Sequence, residues 1–246
     1  MIFGFGETST SKERQIIKSS NNIKNYDFLL FFDSRAMSID KRNYNNTIFY
    51  RLIDTLKQKN LSFLAISRPK NLTIFATLLN FLKLNKYYKF KILINNLGFV
   101  DCTPKKQLNI DDMLVQINQF YNFDGKIIKK EDYKLIGGGI ESMKIIDYSQ
   151  KYILYLSEII TKEFENIFFI NTPLVSRDIE IQRERPQSFF SQLEITNGLI
   201  KHLVEFDINK NKLIDISNIS YTYDGVHYTR RGHSEIYKEI IKEINL

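Results

Sequence analysis

Asp224 and His227 stand three residues apart in YTYDGVHYTRRGHSEIYKEI, on a loop tightened by Gly225 and just ahead of an amphipathic stretch. At that spacing a carboxylate can hold one imidazole nitrogen while the other faces outward, which is half of a hydrolytic triad. The missing partner is a nucleophile. Ser34 supplies a candidate, in YDFLLFFDSRAMSID, directly after an apolar run and before a helix-compatible stretch. A serine hydroxyl attacks poorly at neutral pH until a positioned base takes its proton, so the three residues make chemical sense only together. Read separately they are blander: Asp224 is a helix cap and Ser34 a turn serine. Thr8 and Ser9 in GFGETSTS are an alternative nucleophile, and that segment lacks the GKS or GKT ending of a phosphate loop.

The elements that must bring Ser34 to His227 can be read from hydrophobic periodicity. YDFLLFF is a short continuous apolar run ended by Asp33, Ser34 and Arg35, the pattern of a strand buried on both faces. LSFLAIS, KFKILINNLGFV, NIFFINTPLV and KLIDISNI read as four more strands. Between them, NTIFYRLIDTLKQKN shows apolar residues at helical spacing (Ile48, Phe49, Leu52, Ile53, Leu56) behind Thr47. NLTIFATLLNFLKLN, IDDMLVQINQFYNF, DYSQKYILYLSEIITKEF, QSFFSQLEITNGLIKHLVEFDI and HSEIYKEIIKEI read as further helices. Alternating strands and helices imply parallel strands joined by right-handed crossovers. The expectation is a three-layer α/β/α sandwich around a mainly parallel five-stranded sheet. Residues 1–246 are expected to form one domain, with 1–26 a polar, helix-compatible extension and 104–165 a lid or insertion. KIIKKEDYKLIGGG, within that insertion, fits a short hairpin, and Gly137 to Gly139 mark a sharp turn.

Ligands in open parallel sheets bind beyond the carboxyl ends of the strands. Asp33 and Ser34, Ser67 to Asn71, Gly98 to Asp101, and Asp224 to His227 all follow strands, so they converge on one edge. In that arrangement the sequence resembles the SGNH (GDSL-type) hydrolases. FDS at Phe32 to Ser34 is similar to their first block, with Phe32 for glycine. LGFVD at Leu97 to Asp101 is similar to their GxND block, with Val100 for asparagine, and DGVH at Asp224 to His227 to their DxxH block. SRPKN stands where the second block would supply a glycine. The resemblance implies a flavodoxin-like SGNH hydrolase fold, with Ser34 as nucleophile, His227 as base and then acid, and Asp224 as its orienting group. Oxyanion donors would come from Ser34, Asn71 and Gly98. Arg35, Asp101, Arg183 and Arg185 are candidate substrate contacts, the last two because guanidinium grips carboxylate or phosphate through two bonds. Surface ion pairs and loop shaping are their plainer roles.

Composition bounds the rest. The 246 residues carry a net charge of +7 spread through every segment, so a lysine-rich surface explains the basic balance better than a nucleic-acid site does. A single cysteine, Cys102, allows no internal disulfide, and three histidines without ligand spacing give no zinc site. No apolar run reaches a membrane span and the N-terminus turns polar early, so a cytoplasmic protein is expected. Neither cofactor nor metal is expected. The expected function is an ester hydrolase or O-acyltransferase working through an acyl-enzyme on an O-acylated substrate, by analogy a carbohydrate. The other reading is a catalytically impaired carbohydrate-binding or polysaccharide-assembly protein on the same scaffold.

Overall fold

The computed structural model describes residues 15–20, 23–37, 45–68, 72–134, 139–175 and 188–246. Five parallel strands form where apolar runs occur: β2 (Asn25–Phe32), β3 (Phe63–Ser67), β4 (Lys89–Asn95), β7 (Asn166–Ile170) and β8 (Asn211–Ile214). A sixth, β1 (Gln15–Lys18), pairs antiparallel with β3 at the edge, giving the order β1-β3-β2-β4-β7-β8. The expected sheet is thus one strand wider. The extra strand comes from the segment expected to be a helix-compatible extension. Four residues carry little periodicity, and the open edge of β3 offers them a row of backbone partners.

Each central strand feeds two cores because its side chains alternate. From β2, Leu29 and Phe31 enter one cluster, while Phe28, Leu30 and Phe32 enter the other. The second cluster is closed by α1 (Ile48–Gln58), through the five apolar positions seen in the sequence, and by Ile236 and Ile240 of α7 (Arg230–Ile244). The first is closed by α2 (Phe75–Leu84), α4 (Gln107–Ile117), α5 (Gln150–Glu163) and α6 (Ser188–Glu205). These are the three layers of an α/β/α sandwich. Phe32 is fully buried against Phe49 of α1, with ring centroids 6.3 Å apart. The large side chain therefore points away from the edge where Ser34 sits.

Strand β4 stops at Asn95, five residues short of the stretch read as strand, and a one-turn helix, α3 (Phe99–Cys102), follows. Within residues 104–165, α4 and α5 bury Ile110, Met113, Tyr152 and Leu156 in the first core. Between them β5 (Lys126–Lys134) and β6 (Ile140–Asp147) form an antiparallel hairpin that is a sheet of its own. The register slips between Lys129 and Glu131, and the Glu131 carboxylate accepts the N–H of Ser188 at 2.8 Å, at the start of α6. A carboxylate on the orphan donors of a helix N-terminus ties the hairpin to the main body. Among the described residues no helix is long and apolar enough to cross a membrane.

Candidate active site

Ser34 opens a 3-10 turn, Ser34–Ala36, directly after β2. Asp33 caps that turn, its carboxylate accepting Arg35 N–H at 2.8 Å. At this first position the N–H of Ser34 has no acceptor within the turn. Its Oγ lies 3.3 Å from His227 Nε2, although 193 residues separate them.

His227 is held by a tight loop. Gly225 takes φ +80°, which turns the chain so that Asp224 Oδ1 accepts the N–H groups of Val226 (3.2 Å) and His227 (2.9 Å). The other oxygen, Oδ2, stands 3.0 Å from His227 Nδ1. Asp224 is buried, while the His227 side chain keeps 19% exposure. The loop sits close on α7 because residue 232 is glycine: a Cβ there would lie 2.3 Å from the Tyr221 carbonyl oxygen. Ser34, His227 and Asp224 are therefore brought together in that order, with the hydroxyl at the outer limit of hydrogen-bond reach from Nε2, a spacing common before substrate binds.

Arg35 and Asp101 lie elsewhere. Arg35, expected as a substrate contact, is 1% exposed and turned inward. Its Nε donates to Asp33 Oδ2 at 2.9 Å, its second terminal nitrogen (Nη2) to the Asn96 carbonyl, and Phe99 lies over the guanidinium at 4.8 Å. Asp101, also buried at 1%, accepts the N–H groups of Phe75 (3.1 Å) and Gly98 (3.2 Å). Burial pushes its carboxyl up to about 7, against the pull of those donors. It pins the start of α2 to the turn after β4 and has almost no exposed surface to offer a ligand. Gly98, a candidate oxyanion donor, has its N–H committed to Asp101. Arg68 N–H donates to the Phe32 carbonyl at 2.9 Å, at φ +52°, a left-handed conformation unusual for a residue with a side chain. It lies in the stretch where the second block's glycine was sought. Asn71, Arg183, Arg185, Thr8 and Ser9 lie outside the described residues.

Asn96 was missed. Its Oδ1 accepts Asp33 N–H at 2.8 Å and its Nδ2 donates to Asp33 Oδ1 at 2.9 Å, so one side chain locks the end of β4 to the residue before Ser34. The signal was two asparagines closing an apolar strand beside FDS. Polar residues at the buried end of a strand need partners, and the neighbouring strand end supplies them.

His233, in the first turn of α7, lies behind the site. Its Nδ1 accepts Ile48 N–H at 3.3 Å, so it must be neutral, and burial, with smaller pushes from Arg51 and His227, lowers it to about 3 from 6.5. Below pH 6.5 the unfolded chain binds a proton here that the folded chain refuses, so stability falls as pH drops towards 3. The expected loss is about 2 kcal/mol by pH 5. His233→Gln keeps an acceptor for Ile48 without titrating, so its urea-unfolding profile should be flatter between pH 7.5 and 5. A variant with the wild-type pH dependence would count against this assignment.

No protein-family model matches the sequence, and no curated protein matches it. Solved structures do match. An α/β hydrolase enzyme from the metagenome of Lake Arreo, Spain, superposes with a TM-score of 0.52 at 10% identity, over 89% of this chain and 95% of that one. A catalytic mutant of Axe2, an acetylxylan esterase from Geobacillus stearothermophilus, gives 0.50 at 10% identity, over 91% and 96%. A gut microbial diltiazem-metabolizing enzyme gives 0.52 at 11% identity, over 89% of this chain and 47% of that one. At such identities the likeness is one of architecture: this chain shares with these hydrolases an α/β/α sandwich around a mainly parallel sheet.

Proposed function

We propose that the protein is a serine-dependent ester hydrolase or O-acyltransferase. One observation carries the reading: Ser34 Oγ, His227 Nε2 and the Asp224 carboxylate form a continuous chain of contacts at 3.3 and 3.0 Å. His227 removes the Ser34 proton as the hydroxyl attacks an ester carbonyl, and Asp224 holds the imidazole with its proton on Nδ1 and steadies the imidazolium. His227 then returns the proton to the departing alcohol, leaving an acyl-Ser34. Water or a second hydroxyl takes the acyl group in the reverse sequence, which makes the enzyme a hydrolase or a transferase. The Ser34 N–H, first in its turn, serves the oxyanion, and at least one further donor must come from a group other than Gly98 or Arg68. The acetylxylan esterase likeness makes O-acylated carbohydrates the first substrates to test.

A fluorophosphonate probe with peptide mass spectrometry tests the mechanism. The expected adduct is on Ser34 and disappears in Ser34→Ala, while His227→Ala slows its formation at least about a hundredfold. An adduct on Thr8 or Ser9 would refute the assignment. Val100, where the SGNH hydrolases place an amide side chain, favours a second reading, a carbohydrate-binding protein that has lost turnover. Folded wild type that binds acylated sugars in calorimetry yet takes no adduct would establish it.

A further inference from the structure

The residues on either side of the Asp224 to His227 turn pair with each other. Thr222 and Tyr228 form an antiparallel bridge, flanked by the Tyr223 N–H on the His227 carbonyl at 2.8 Å and the Thr229 N–H on the Tyr221 carbonyl at 2.9 Å. That register sets Tyr223 opposite His227 and Tyr221 opposite Thr229. Residues opposite each other in an antiparallel pair share a face, and the face alternates along each strand. Exposure follows the same alternation. Tyr228 is 1% exposed and faces the core, while His227 and Thr229 on the other face are partly exposed, as are Tyr221 and Tyr223. Tyr223 is thus the cross-strand neighbour of His227, and Tyr221 follows about 7 Å further along the same face.

Arg231 extends this strip. It stands in the first turn of α7, with its guanidinium 4.1 Å from the centroid of the Tyr221 ring. The side chain is exposed and makes no ion pair among the described residues, and no acidic residue stands in that turn. A positive charge at a helix N-terminus works against the helix dipole, so Arg231 is not there to stabilise α7. Stacking on the ring uses the face of the guanidinium and leaves its N–H edge for a ligand.

We propose that Tyr223, Tyr221 and Arg231 are the subsite for the sugar that carries the ester attacked by Ser34. A pyranose presents a face of weakly positive C–H groups that packs on the negative face of a tyrosine ring. Its rim carries hydroxyls that accept bonds from a guanidinium. An aryl or alkyl group would use the rings and leave Arg231 without a partner. The strip begins beside His227, whose Nε2 is 3.3 Å from Ser34 Oγ, so a sugar laid on Tyr223 holds its ester next to the nucleophile. A neighbouring ring of the same glycan then meets Tyr221 and Arg231.

This rests on Ser34 being the nucleophile, and the test separates the two ideas. Rates are measured with O-acetylated xylo-, manno- and gluco-oligosaccharides and with ethyl acetate, which is too short to reach Tyr221. The variants are Tyr223→Ala, Tyr223→Phe and Arg231→Gln. Relative to ethyl acetate, kcat/KM for the sugar esters should fall about tenfold in Tyr223→Ala and about threefold or more in Arg231→Gln, mostly through KM, while Tyr223→Phe stays close to wild type. Wild type that cleaves ethyl acetate but none of the sugar esters overturns the subsite, and so do ratios that keep their wild-type value. An equal loss on 4-nitrophenyl acetate in Tyr223→Ala, with Arg231→Gln behaving as wild type, overturns the sugar assignment in favour of an aryl group. Wild type that cleaves no ester and takes no fluorophosphonate sinks the Ser34 mechanism, and calorimetry with the same oligosaccharides then decides the subsite. Binding that weakens in Tyr223→Ala supports it; binding that is absent, or equal in the variant, overturns it. Should Tyr223→Ala fail to fold, Arg231→Gln, at an exposed position, decides by the same ratio.

Discussion

Asp224→Asn is expected to lower ester turnover about 10⁴-fold while leaving the fold intact. Both oxygens of Asp224 approach His227 Nδ1, Oδ1 at 3.2 Å and Oδ2 at 3.0 Å, and Oδ1 alone also holds the loop. Oδ1 holds the loop by accepting the N–H groups of Val226 and His227, and an asparagine carbonyl oxygen can take over that task. Oδ2 faces His227 Nδ1, and there the amide would present N–H groups instead. His227 would then turn Nδ1 into an acceptor and carry its proton on Nε2, the nitrogen that must receive the Ser34 proton. The base is switched off without being moved. Kinetics on a small ester, with circular dichroism to show the fold, checks this. A variant with more than about a tenth of wild-type kcat would mean that Asp224 only shapes the loop, since orientation alone does not require the charge.

The same residue illustrates how much of the site could be read from the chain. DGVH and FDS stood out because their chemistry needs few residue types at short spacings, and the buried strands that carry them are continuous apolar runs. The architecture followed from the alternation of those runs with helical periods, and β2, β3, β4, β7 and β8 appear where the runs are. What escaped was set by tertiary pairing. Strand β1 has four residues and forms because β3 has a free edge. Strand β6, IESMKIID, mixes charges into its alternation and pairs only with β5, in a sheet apart from the main one. Arg35 misled for a related reason. An arginine beside a nucleophile looks like a substrate clamp, and nothing local says that Asp33 and the Asn96 carbonyl, 61 residues on, will draw it inside.

Asp33→Ala is expected to destabilise the protein by about 3–5 kcal/mol, the largest stability effect at the site, because it leaves the Arg35 charge buried without its counter-ion. The pair is 1% exposed on both sides, so water cannot take over. Asn96 loses an acceptor for its amide at the same time, and the turn that presents Ser34 loses its cap. Urea unfolding measures the loss. The informative control is Asp33→Ala combined with Arg35→Met, which removes both charges and fills the volume with an apolar chain. Replacing a buried ion pair by well-packed apolar groups is often close to neutral. The double variant should therefore recover most of the lost stability while Ser34 reacts slowly with a fluorophosphonate, since nothing then fixes its turn. Stability and reactivity that recover together would show that the pair serves the fold alone. Stability regained without reactivity would show that this buried charge is retained to hold the nucleophile in place.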